Sequence, residues 1–240
     1  MRTKFRFRWI PFLAAMVAAA IGVSLGQWQT RRAAEKESIE TKLTVRETAE
    51  PIQLATLPFR GQSVEDVEYR RIAVEGNFLK EWTVFLDNRP YKGAAGFYVL
   101  TPMKLVGSEL HVLVARGWVK RDIADRTRMP AIATPEGTVE VTGIARRNVG
   151  QVLQLGTPVP LQPGAIVQNV NAAEFAGAAK LEMLPFILEQ TTDLEDGLVR
   201  DWPRPSTGVE KHRGYAFQWY ALAATALLFF VATGFRRGAK

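Results

Sequence analysis

Glu210-Lys211-His212-Arg213-Gly214-Tyr215-Ala216-Phe217-Gln218-Trp219-Tyr220 leads into a stretch of 22 residues, Gly214 to Phe235, that carries no charged side chain and is closed by Arg236 and Arg237. As a helix, a stretch of that length crosses a hydrocarbon core of about 30 Å. The sequence therefore predicts a transmembrane helix, with the imidazole of His212 at its membrane–water boundary. At the other end of the chain, Arg2, Lys4, Arg6 and Arg8 precede a second charge-free run of 22 residues, Trp9 to Thr30. A cleaved signal peptide is the competing reading of that run, because Ala18-Ala19-Ala20 resembles a processing site. The run is longer than a usual signal core, however, and Trp28 lies where interfacial aromatics belong.

These two runs divide the chain into a basic tail (1–8), a first span (9–30), a domain (31–213), a second span (214–235) and a second basic tail (236–240). The tails hold seven of the 31 Lys and Arg residues and none of the 24 acids, so the domain carries 24 charges of each sign. The pI of about 9.8 thus belongs to the tails. No basic stripe with nucleic-acid spacing is present, so no nucleic-acid partner is expected, and membrane lipid accounts for the tail cations. Short basic segments stay in the cytoplasm while long loops translocate largely regardless of charge. Both termini are therefore expected in the cytoplasm and the domain outside it. The chain has no Cys, which removes disulfides, thiolate metal sites and Cys nucleophiles.

Beyond Trp28 both charge signs appear, and the first helix is expected to run on as a polar extension until Pro51. From Glu68 the pattern becomes β-rich: Tyr69–Phe78, Trp82–Leu86, Phe97–Leu105, His111–Val119, Thr138–Ala145 and Phe186–Thr191 read as strands. One short helix is expected at Ala172–Lys180 with Asn171 as its cap. The fold class is a membrane α+β protein, two transmembrane helices bracketing one mostly antiparallel β domain, either barrel or sandwich. Ala14, Ala18, Gly22 and Gly26 form a small-residue stripe in the first span, suited to close packing against the second.

Motifs for nucleophilic, phosphate-binding, dinucleotide or zinc-dependent chemistry are absent, and no enzyme is indicated. Of the two His residues, His111 begins a strand and reads as a satisfied, half-buried side chain. His212 shares a helical face with Tyr215, Ala216 and Trp219, while Trp28 and Arg32 of the first helix lie at its depth. Two readings stay open on these residues. One is an interfacial anchor beside Lys211 and Arg213. The other is an axial haem ligand, with the macrocycle against apolar helix faces and cations toward its propionates.

Several blocks resemble the surfeit locus protein 1 (Surf/Shy) family of cytochrome c oxidase assembly factors. They are Gly26-Gln27-Trp28-Gln29 with Arg32 and Lys36; Tyr69-Arg70-Arg71 with Gly76 and Phe78; Gly96 to Pro102; Val114 to Val119; and His212, Tyr215-Ala216, Trp219 and Tyr220. The chain departs from the family pattern at Glu35, Glu210-Lys211 and Arg213-Gly214. The resemblance implies a non-catalytic factor in a bacterial inner membrane, with a periplasmic domain, that binds haem a transiently and helps its insertion into the catalytic subunit of cytochrome c oxidase. Haem a synthase is a further partner of that reading. His212 would be the axial iron ligand and the only metal ligand, with Tyr215, Trp219 and Trp28 on the ring and Arg32, Lys211 or Arg213 at the propionates. The alternative is a membrane-anchored protein–protein scaffold with no cofactor, its docking surface expected at an exposed Arg116-Gly117-Trp118 strand end.

Overall fold

The computed structural model describes residues 4–5, 7–54, 63–122, 124–125, 128–154, 156–203 and 208–236. The tail cations Arg2, Arg6, Arg237 and Lys240 lie outside them. In chain order the elements are β1 (Lys4–Phe5), α1 (Trp9–Thr48), β2 (Ile52–Gln53), α2 (Val64–Val67), β3 (Arg71–Phe78), β4 (Val84–Leu86), β5 (Gly96–Leu105) and β6 (His111–Lys120). They continue with β7 (Val139–Arg146), β8 (Ile166–Val167), α3 (Ala172–Ala179), β9 (Met183–Gln190), α4 (Val209–Gly234) and β10 (Phe235–Arg236). The chain forms two compact units, one of residues 1–43 and 205–240, the other of residues 44–204.

The second unit is a β-barrel. Its sheet runs β2-β3-β7-β9-β6-β5-β4-β8, and an additional β3–β5 pairing closes a ring of β3, β7, β9, β6 and β5. The pairs β2–β3, β4–β8 and β6–β9 are parallel and the rest antiparallel. Closure leaves the ring strands no free edge. Ile72, Val74, Met103, Val112, Val114, Val141, Ala145, Phe186 and Leu188, drawn from all five ring strands, fill one buried cluster that is the barrel interior. A second cluster covers the outer face of β5, β6 and β9 with Phe175 of α3 and the side chains of β4. Burial on both faces explains why β5 and β6 read as continuous apolar runs rather than as alternating strands.

The barrel resolves the choice left open between barrel and sandwich. Helix α3 starts where its sequence predicts, because the Asn171 side chain accepts from the Glu174 amide at 2.9 Å while the Glu174 carboxylate accepts from the Asn171 amide at 3.2 Å. The two-residue strands β2 and β8 are missing from the sequence reading, since two residues are too short to show a period.

The first unit is a helical hairpin. Helix α1 is one continuous helix of 40 residues, so the polar extension and the apolar span are a single rod. Both α1 and α4 are long and apolar enough, by length and composition, to cross a membrane. Across the hairpin the inward positions alternate at three and four residues. In α1 they are Phe12, Ala15, Ala19, Gly22, Gly26, Gln29, Ala33 and Lys36; in α4 they are Val209, His212, Ala216, Trp219, Ala223, Ala226 and Phe230. That is the 3.5-residue period of paired helices. The four-residue stripe expected from the sequence is corrected accordingly. Steps of four drift around a 3.6-residue helix, so Ala14 and Ala18 face outward and Ala15 and Ala19 take the seam. At Gly22 an added Cβ would stand 2.9 Å from the Ala223 Cβ, and at Gly26 2.7 Å from the Tyr220 ring. Glycine is what lets the two rods approach this closely.

Candidate functional site

Helix α4 begins at Val209, five residues ahead of the charge-free run. Gly208, in the left-handed region at φ 73°, turns the chain into the helix, and Val209 is buried. His212 therefore stands on a formed helical turn, its amide bonded to the Gly208 carbonyl at 3.3 Å. It occupies a seam position together with Ala216 and Trp219. Across the seam, its Nδ1–H donates to the Oε1 of Gln29 at 2.7 Å. An imidazole so engaged keeps Nε2 as the nitrogen whose lone pair is available to a ligand.

The remaining expected residues fall around this pair rather than into it. Tyr215 is 53% exposed and Trp28 46% exposed, so both lie toward the outside of the hairpin. Trp219 is half-buried in the seam. Arg32 is bound to Glu35 at 2.9 Å, one turn along its own helix. Arg213 holds Glu37 of α1 at 3.0 Å and Glu210 at 3.3 Å. All of these ion-pair side chains are more than half exposed, which makes the pairs weak and exchangeable.

Gln29 is the residue the sequence reading did not single out. Its signal was present: the 3.5-residue period that carries Gly22 and Gly26 passes next through position 29 and then 33, and Gln29 is the polar member among small ones.

In the barrel unit, polar burial takes another form. Residues Leu100 and Val99 of β5 pair with Ala115 and Gly117 of β6, so Arg116 is the extra residue of a β-bulge. The bulge sends its fully buried side chain to Asp196 at 2.8 Å, Thr134 at 2.7 Å and the Ala133 carbonyl at 2.7 Å. Arg200 closes on the other Asp196 oxygen at 2.6 Å. Burial lowers the Arg116 pKa, while the bonded Asp196 carboxylate opposes that shift. Trp118 is only 8% exposed, and its Nε1–H donates to the Arg89 carbonyl at 2.6 Å. Arg116 and Trp118 are thus buried, which corrects the expectation of an exposed Arg116-Gly117-Trp118 strand end.

A second buried pair joins Glu189 of β9 to Arg146 of β7 at 3.1 Å, with the guanidinium 4.6 Å from the Tyr69 ring centroid. Burial pushes the Glu189 carboxyl up to about 7, against the pull of Arg146. His111 is buried, with Nδ1 3.2 Å from the Glu182 carbonyl, as its strand position led us to expect. Among the described residues no group of three or more His, Cys, Asp or Glu is placed to hold a metal ion.

The family model of the SURF1 family matches residues 16–224, which takes in most of α1, the whole barrel and the first part of α4, His212 included. A SURF1-like protein of Monosiga brevicollis is 27% identical over 232 residues, 92% of this chain and 86% of that protein. The cytochrome oxidase assembly protein SHY1 of Saccharomyces cerevisiae is 32% identical over 102 residues, 42% of this chain and 26% of its own length. Surfeit locus protein 1 of Takifugu rubripes is 32% identical over 151 residues, 56% of this chain and 60% of that protein. With its hairpin, its closed barrel and a match that runs nearly from end to end, this chain belongs to the SURF1 family.

Proposed function

We propose that this protein is a membrane-anchored assembly factor for cytochrome oxidase that carries haem a on its helical hairpin and supports its insertion into the catalytic subunit. The family membership and the similarity to the yeast cytochrome oxidase assembly protein SHY1 support the assembly role. The haem reading is carried by one observation: a seam imidazole whose Nδ1 is already bonded, to Gln29 at 2.7 Å, and whose Nε2 is the nitrogen left for an axial bond. Haem a, when bound, would supply an iron that takes a nitrogen ligand, a broad apolar ring and two propionates.

The residues present fit such a group. His212 is the imidazole of the hairpin unit. Tyr215, one turn from His212 on the same helix, and Trp28, the neighbour of Gln29 in α1, offer exposed aromatic surface. Trp219 holds the seam two turns further along α4, with Ala216 between it and His212. Arg32, Lys211 and Arg213 supply cations at the same end of the hairpin, and the first and third would exchange weak carboxylate partners for propionates. The proposed placement is a bacterial inner membrane, with both termini cytoplasmic and the barrel periplasmic, because basic tails flank both apolar helices. Haem a synthase is a natural donor in this scheme. The chain itself binds and presents, and no catalytic step is assigned to it.

Complementation tests the reading. In a strain lacking this gene, membranes should show a reduced haem a absorbance and oxidase activity. Wild-type protein should restore both, and His212→Ala, expressed to the same level, should not. Full restoration by His212→Ala would leave the assembly role without the haem site.

A further inference from the structure

The seam of the hairpin is small and apolar on the α1 side from Ala15 to Ala33 apart from one residue, Gln29. On the α4 side, between Val209 and Ala223, the ionisable seam residue is His212. The two meet, Nδ1 to Oε1, at 2.7 Å. A polar pair at one layer of an otherwise apolar helix seam fixes register. Each member also satisfies a polar group of the other inside the helix contact.

This pair also fixes chemistry. An amide oxygen accepts a proton and cannot supply one, so Oε1 selects the imidazole tautomer with hydrogen on Nδ1 and the lone pair on Nε2. Free neutral imidazole side chains in water favour the opposite tautomer. An acceptor on Nδ1–H also raises the basicity of Nε2 and holds the ring plane, the role that outer hydrogen-bond partners play for metal-bound imidazoles.

We propose that Gln29 is the positioning residue of the site: from the facing helix it sets the tautomer, the ring orientation and the donor strength of His212. The proposal rests on the haem reading above for its purpose, but its first consequence is visible without haem. Gln29 does not touch the iron. It acts through the imidazole, so the affinity and the potential of the bound haem report the helix–helix contact as well as the ligand.

The test uses the full chain in lipid, with nitrogen-labelled histidine. The chain has only two His residues, so His212→Ala assigns the spectrum. In the apoprotein, His212 should be the Nδ1–H tautomer in wild type and in Gln29→Glu, which keeps an acceptor. In Gln29→Leu the population should move toward Nε2–H. On titration with haem a, Gln29→Leu should bind on the order of 10–100-fold more weakly than wild type. Gln29→Glu should bind, with a midpoint potential below that of wild type, because a carboxylate acceptor favours the ferric state. A role confined to helix register predicts a different result: loss of helical structure in Gln29→Leu with no tautomer change, and a wild-type potential in Gln29→Glu. An unchanged tautomer together with unchanged affinity and potential in Gln29→Leu overturns the proposal. Wild-type protein that shows the Nδ1–H tautomer yet takes up no haem would instead overturn the haem reading, leaving the Gln29–His212 orientation intact.

Discussion

The barrel and the hairpin both bury polar side chains, but of different kinds. In the barrel the buried groups are guanidiniums paired with carboxyls: Asp196 is shared by Arg116 and Arg200, and Glu189 is bound to Arg146. In the hairpin the pair is half-buried, an amide and an imidazole, and the imidazole is bonded on one nitrogen, to Gln29. Carboxyls already held by guanidiniums brace a fold, and a guanidinium has no lone pair to offer a metal. A half-used imidazole has one. The contrast separates architecture from site without recourse to any motif.

The largest expected effect breaks the barrel side of that contrast. Asp196→Ala leaves two buried guanidiniums without their carboxylate and should destabilise the barrel by about 3–5 kcal/mol. Urea unfolding followed by tryptophan fluorescence would measure it. The hairpin's haem content per folded molecule should be unchanged. A loss below about 1 kcal/mol would mean that the cluster is better solvated than its buried geometry indicates.

Glu189 sharpens the same side through pH. Its folded pKa, about 7, is raised above the ordinary 4.5, so the native state holds a proton that the unfolded state has released. Its stabilising effect is therefore greatest at and below about pH 4.5 and is lost as pH rises to about 7. The difference is at most about 3 kcal/mol. Glu189→Gln should flatten the stability profile across that window. A profile equally steep in the variant would place the titrating group elsewhere.

On the hairpin side, Gly26→Leu puts a side chain where the Tyr220 ring already lies 2.7 Å from a bare Cβ. Overpacking of this kind costs about 1–3 kcal/mol, read as a lower thermal midpoint of the helical dichroism in detergent. Haem uptake should fall with it, because the Gln29–His212 layer is the next one along the seam. The smallest effect belongs to the exposed ion pair of Arg213 with Glu37. Arg213→Ala should change stability by no more than about 0.5 kcal/mol, and any fall in haem affinity beyond that would assign Arg213 to the propionates.

Much of this was readable from residues. The two apolar runs, the long strands and the α3 cap follow from composition, alternation and capping chemistry, each a local property. Barrel closure is not local: the β3–β5 pairing that completes the ring depends on Gly76 and Leu105 meeting across the sheet, which no periodicity encodes. The Arg116 bulge was illegible for the same reason, since β6 reads as an unbroken strand and the partner Asp196 lies 80 residues away. At the site, His212 was legible from its neighbours and the family resemblance. Its partner was not, because a four-residue stripe was read where the helices use a 3.5-residue one, and Gln29 sits on the second and not on the first.

The central claim is that His212 is the chain's haem ligand. The most direct measurement is the ratio of extracted haem a to protein in full-length wild type and in His212→Ala, both purified from cells that synthesise haem a and both shown to be folded by their helical dichroism. The account predicts haem in the wild type and its near-complete loss in the variant; equal haem content in the two would contradict it.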